Sequence, residues 1–154
     1  MYDFLVFYSK VSMIPPRWIN CPPIGDMILD TFIPFKTPLN DSYVRFLDES
    51  QIFDVETLAS YTESYQLGMV VDLTKTRRYY NQKEVEVRNW KYMKINCKGN
   101  EETPTEDQVA YFINIVRRFQ NFDKLRKIGV HCTHGFNRTG FMICAYLVEE
   151  LQYR

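Results

Sequence analysis

The chain has 154 residues and a mass of 18.5 kDa, with nineteen Lys and Arg set against nineteen Asp and Glu for a formal net charge of zero. A chain of that length suits one domain and buries roughly 68–70% of its unfolded surface without a disulfide or metal staple. Balanced charge excludes a generally basic nucleic-acid coat and an acidic disordered tail, and 16% aromatic residues fit a packed globule. No apolar run approaches the roughly eighteen residues of a membrane span.

Residues 1–12 have no clear period and read as an N-terminal extension, with Met13 an alternative start of a domain over 13–154. The stretch Phe4 to Tyr8 is too short for a signal peptide core, so the four cysteines, Cys21, Cys97, Cys132 and Cys144, are expected as free thiols in a reducing compartment. Prolines crowd residues 14–40 and argue for extended, loop-like chain around a short strand at Thr31–Phe35. The spacing of Val55, Leu58 and Ala59 predicts a helix over Asp54–Ser64, and the run MVVDL at 69–73 predicts a buried strand. A polar, basic loop is expected at 74–84, then a half-buried strand from Trp90 to Ile95.

Thr103-Pro104-Thr105-Glu106 reads as a helix start with Thr103 at the N-cap, and Val109, Phe112, Ile113, Val116 and Phe119 form one apolar stripe. A short strand is expected at Ile128–His131. The last helix begins near Arg138 and is apolar nearly all round, as befits the middle of a domain. Strands alternating with helices predict an α/β fold with a central, mostly parallel sheet flanked by helices.

The chemistry concentrates in Val130-His131-Cys132-Thr133-His134-Gly135-Phe136-Asn137-Arg138-Thr139-Gly140, between a strand and a helix. Five residues separate Cys132 from Arg138. A loop of that length can curl its N–H groups around an anion, at the positive end of the following helix. The backbone of Thr133, His134, Gly135, Phe136 and Asn137 would cradle a phosphate. Gly135 and Gly140 allow close approach there, and the Arg138 fork matches two phosphate oxygens. The same field lowers the pKa of Cys132 and makes it a nucleophile, with Thr139 placed to hydrogen-bond the sulfur and His131 to orient the loop. His131, Cys132 and His134 can also be read as part of a zinc site, but no second cluster has ligand spacing, so no metal and no cofactor are expected.

HCxxxxxR[ST] is the signature of the cysteine-dependent phosphatases, and HCTHGFNRTG resembles the branch that acts on RNA 5′ ends. IPPRWINCP (14–22), IPFKTPL (33–39), VVDLTKTRRYY (70–80), INCKG (95–99) and GVHCTHGFNRTGFMICAYLVEE (129–150) resemble the RNA 5′-triphosphatase domain of animal mRNA-capping enzymes. The resemblance covers residues 14–152. It implies a protein tyrosine phosphatase-like fold and removal of the γ-phosphate from 5′-triphosphate RNA through a cysteinyl-phosphate, as the first step of mRNA capping in the nucleus. It also makes Asp72, at the end of its strand, a site residue; the alternative is a strand-end cap. Lys75, Arg77 and Arg78, with Tyr79 and Tyr80, could hold further phosphates and stack a nucleotide, or form a solvated loop.

Protein-directed relatives use a loop aspartate to protonate a poor leaving group, whereas Gly99 to Pro104 carry none. A diphosphate leaving group needs no strong acid, and Glu101 and Glu102 are the fallback. The alternatives are a dual-specificity protein phosphatase, the related nuclear RNA phosphatases that remove both γ- and β-phosphates, and a phosphate-binding module without turnover. The resemblance further implies one or two helices beyond Arg154 and a guanylyltransferase half. No lysine followed by x-Asp-Gly occurs here, so a fragment ending inside its own domain is expected.

Overall fold

The structure, a computed structural model, describes residues 14–99 and 102–153. The expected N-terminal extension and Glu101 lie outside the described residues. The strands are β1 (Phe32–Lys36), β2 (Leu67–Asp72), β3 (Lys91–Lys94) and β4 (Lys127–Cys132). The α-helices are α1 (Asp41–Val44), α2 (Val55–Thr62), α3 (Gln82–Glu86), α4 (Glu106–Phe122) and α5 (Asn137–Glu149). The four strands form one sheet in the order β1-β4-β2-β3, every pairing parallel.

Alternation along the strands divides the core between the two faces of this sheet. Phe32, Met69, Val71, Ile128 and Val130 pack with Phe112 and Val116 of α4 and Met142 and Ile143 of α5. Ile33, Phe35 and Val70 pack on the other side with Trp18, Phe53, Val55 and Leu58. All six residues of β2 are buried, as parallel strands covered on both faces require. The central strand β4 ends on Cys132, so the loop after it opens at the carboxyl edge of the sheet, where such folds hold ligands.

Local chemistry sets the helix ends. Asp54 caps α2 by accepting from the Thr57 N–H at 2.7 Å. Helix α4 starts two residues later than its sequence predicts: Thr105, not Thr103, is the N-cap, in a reciprocal capping box with Gln108. The expected loop at 74–84 contains the start of α3, capped by Asn81 with Glu84 reaching back to its N–H. Helix α5 differs from expectation in one respect. Thr139, Met142, Ile143 and Tyr146 are buried, but Phe141 and Val148 are exposed. Its neighbours α4, β4 and β1 cover one side only. No helix of the described residues is long and apolar enough to cross a membrane.

Candidate active site

Cys132 is buried at the end of β4, and the loop from Thr133 to Phe136 delivers the chain into α5. The loop is pinned to β1, because the Thr37 N–H donates to the Thr133 carbonyl at 3.1 Å. Gly135 has φ +81°, and a Cβ there would lie 2.7 Å from the Phe35 carbonyl and 3.0 Å from the Lys36 nitrogen, so both conformation and space demand glycine. Gly140 is different. A Cβ on it would meet nothing within 4 Å, so the close approach expected from the sequence holds at Gly135 alone.

Burial alone would push the Cys132 thiol up. It is outweighed by the Thr139 hydroxyl, the N–H groups of Thr139 and His134 and the Arg138 charge, which together hold it below the ordinary thiol value. The buried Thr139 hydroxyl has no hydrogen-bond partner of standard geometry among the described residues, and it lies close enough to this sulfur to lower its pKa. Arg138 is oriented from beneath: Nη1 donates to the carbonyls of Leu73 at 3.2 Å and Cys97 at 3.0 Å, and Nη2 to the Thr133 hydroxyl at 3.0 Å. That leaves Nε–H and one Nη2–H for two oxygens of a bound phosphate. Cys97, its thiol pushed up to about 11 chiefly by burial, is protonated at neutral pH. All four cysteines are free.

His131 is fully buried, and burial lowers its pKa despite the nearby Asp72 charge, so the ring is neutral. Nδ1–H donates to the Cys132 carbonyl at 3.1 Å, and Nε2 accepts from the Tyr80 hydroxyl at 2.7 Å. Tyr80 is thus a buried partner of His131 and does not stack a nucleotide. Tyr79 is buried too, 6.0 Å from the Tyr43 ring. His134 turns outward, and its Nε2 donates to the carbonyl of Pro16 at 2.8 Å.

Asp72, expected as a catalytic residue, sits at the end of β2. It is 2% exposed and does not line the cavity over Cys132. One carboxylate oxygen accepts from the N–H and hydroxyl of Thr74 at 2.8 and 2.7 Å; the other accepts from Tyr92 at 2.7 Å and Lys94 at 2.8 Å. Burial would raise its pKa, but the pull of His131, once acid protonates it, the Lys94 charge and the bonds from Lys94 and Tyr92 hold it below the usual carboxylate range. It thus has all four acceptor positions engaged within the fold. It positions Thr74 and, through Lys94, which also donates to the Thr74 hydroxyl and the Thr76 carbonyl, the loop after β2.

The cavity above the loop has a volume of about 1200 Å³. Thr133, His134, Phe136, Asn137 and Arg138 line it around Cys132, with Lys75 and Arg78 on one side. Arg77 is not among the lining residues: Nη1 donates to Gln82 at 2.8 Å on the surface. Glu102 lines the rim with its side chain 57% exposed and paired with Lys98 at 3.2 Å. Ile14 to Arg17 with Cys21 also line the cavity, a segment whose prolines read only as loop. Trp18 is the overlooked signal there, a large aromatic inside a proline-rich run, and it is fully buried. Among the described residues no group of three or more His, Cys, Asp or Glu could hold a metal ion.

Residues 53–154 match the family described as dual specificity phosphatase, catalytic domain. The chain is 44% identical over 148 residues to an mRNA-capping enzyme of Mus musculus, with 95% of this chain and 24% of that protein covered. It is 43% identical over 148 residues to an RNA/RNP complex-1-interacting phosphatase homolog of Caenorhabditis elegans, covering 91% of this chain and 63% of the relative. The chain thus spans about a quarter of the capping-enzyme relative and under two thirds of the other. Crystal structures of PTPMT1 in complex with PI(5)P (TM-score 0.65, 14% identity, 86% of this chain and 76% of that chain) and of Tk-PTP in the active form (TM-score 0.64, 15% identity, 86% and 77%) share the fold. A nucleophilic cysteine at a strand end, an arginine on the first turn of the next helix and a glycine wedged against β1 between them are what the matched family needs for cysteine-dependent phosphoryl transfer, and the chain belongs to the dual-specificity phosphatase family.

Proposed function

We propose that the chain is a metal-independent RNA 5′-triphosphatase that removes the γ-phosphate of nascent mRNA. The observation that carries this reading is the cavity wall. A space of about 1200 Å³ beside the nucleophile has Lys75 and Arg78 on its side, and Glu102 is the one carboxylate residue among the described lining residues. Such a wall suits a polyphosphate, whose leaving group departs without an acid, better than an aryl or alkyl phosphate, which needs one. The similarity to an mRNA-capping enzyme supports the same substrate.

In the first step the Cys132 thiolate attacks the γ-phosphorus. The S–P bond forms, the bond from phosphorus to the bridging oxygen breaks, and that oxygen leaves with its electron pair on the diphosphate end. Arg138 and the loop N–H groups hold the equatorial oxygens as charge redistributes. In the second step water attacks phosphorus, the S–P bond breaks, and its pair returns to Sγ, which Thr139 stabilises by hydrogen bonding. The proton of the water leaves with inorganic phosphate. With this reading go a nuclear location and a guanylyltransferase unit that would use the diphosphate end.

The test is turnover of triphosphate-ended RNA beside a phosphotyrosine peptide, with a metal chelator present. The reading predicts efficient release from the RNA; release from the peptide alone would replace it with a protein phosphatase. A second reading, removal of the β-phosphate as well, is favoured by the 43% identity to the worm phosphatase homolog. Release of β-label from the same RNA distinguishes it.

A further inference from the structure

We propose that Arg17 is the cation that receives the leaving diphosphate, in the cavity that Lys75 and Arg78 also line. The proposal rests on the polyphosphate reading above and names how that substrate is recognised beyond its γ-phosphate.

Arg17 lines the same cavity as Cys132 and Arg138, yet it comes from a distant part of the chain. Its two neighbours fix its position. Pro16 is tied to the phosphate loop by its carbonyl, which accepts from His134 Nε2 at 2.8 Å. Trp18 is fully buried; its indole N–H donates to the Thr37 carbonyl at 2.9 Å, and the Lys36 ammonium sits 3.7 Å from its ring centroid. Thr37 in turn donates its N–H to Thr133 of the loop. The backbone of Arg17 is thereby held from both sides against the loop that carries the nucleophile.

Arg17 itself adopts φ 65°, the left-handed conformation that an arginine rarely takes. The anchored neighbours impose it, and its carbonyl is occupied by the Asn20 N–H at 3.1 Å and the Cys21 thiol at 3.4 Å. The guanidinium is not committed: among the described residues it has no carboxylate, carbonyl or aromatic partner. A strained, well-anchored backbone carrying an exposed cation, unpaired among the described residues, beside a nucleophile is the arrangement of a ligand-binding group.

The chemistry calls for such a group. As the bond from γ-phosphorus to the bridging oxygen breaks, negative charge accumulates on the β-phosphate, and among the described residues no buried acid lines the cavity to neutralise it by proton transfer. A guanidinium donating two hydrogen bonds stabilises that oxyanion without giving up a proton. Lys75 and Arg78 line the same cavity and add positive charge for the same anion.

The experiment measures kcat/KM for triphosphate-ended RNA and for p-nitrophenyl phosphate, which has no leaving phosphate, in wild type, Arg17→Ala, Arg17→Lys and Arg17→Glu. The ratio of the two kcat/KM values should fall roughly 10- to 100-fold in Arg17→Ala, fall further in Arg17→Glu, and recover in part in Arg17→Lys. An unchanged ratio, whether both activities persist or both collapse together, overturns the proposal while wild-type turnover of RNA keeps the polyphosphate reading. Wild type that hydrolyses the aryl phosphate but releases nothing from the RNA overturns both.

Discussion

Asp72 and Lys94 face each other at 2.8 Å with side chains only 3% and 6% exposed, an ion pair enclosed beneath the phosphate loop. Both partners are fully bonded, Asp72 by Thr74, Tyr92 and Lys94, and Lys94 by Asp72, Thr74 and Thr76. The pair joins the ends of β2 and β3 to the segment that carries Lys75 and Arg78.

Removing one partner leaves the other charge buried. Lys94→Met and Asp72→Asn should each lower unfolding stability by about 3–5 kcal/mol. Because the folded pKa of Asp72 lies below its unfolded value of about 3.9, its stabilisation is present above that pH and is lost as pH falls through the folded value. Denaturant titrations between about pH 5 and pH 2 should therefore show a shallower loss of stability in Asp72→Asn than in wild type. Equal slopes would mean that Asp72 has the same pKa in the folded and unfolded chain.

The surroundings of the Cys132 thiol lower its pKa, whereas burial pushes Cys97 up to about 11. Alkylation by iodoacetamide at neutral pH, resolved by peptide mass spectrometry, should modify Cys132 rapidly and spare Cys97. Thr139→Val should move the pH midpoint of Cys132 alkylation upward and slow breakdown of the phosphoenzyme more than its formation. Cys132→Ser should abolish turnover.

Gly135 of the loop and Gly140 of the helix after it should respond oppositely. Gly135→Ala forces a Cβ to 2.7 Å from the Phe35 carbonyl in a left-handed conformation, so kcat should fall about 100-fold as the loop shifts. Gly140→Ala adds a methyl in open space within α5 and should raise stability by about 0.5–1 kcal/mol with activity retained.

The cations of the 75–78 segment should separate. Lys75→Ala and Arg78→Ala should raise KM for triphosphate RNA several-fold and weaken its salt dependence. Arg77→Ala should leave KM unchanged, because its guanidinium is engaged by Gln82 outside the cavity.

Much of this site is contiguous in the chain, and that part was legible. Cys132 to Thr139 lie within one strand–loop–helix unit, so local spacing carries the geometry, just as the apolar stripe of α4 carries its buried face. Less legible was whatever depends on a partner far along the chain. Tyr80 reads as an exposed loop aromatic until His131, 51 residues away, accepts its hydroxyl. Lys94 reads as the polar side of a half-buried strand until Asp72 buries it. The capping box of Asn81 and Glu84 is a local signal that a basic, polar run obscured. Nothing in the spacing distinguishes Arg77 from Arg78; the turn of the chain after Thr76 alone decides which of them lines the cavity.

The most direct measurement is single-turnover trapping of phosphate on Cys132 from triphosphate RNA labelled at the γ-position, with a metal chelator present. Label recovered on the peptide containing Cys132, and none from RNA labelled only at the α-phosphate, is the predicted result. Steady release of γ-phosphate with no label on Cys132, or undiminished release by Cys132→Ser, would contradict it.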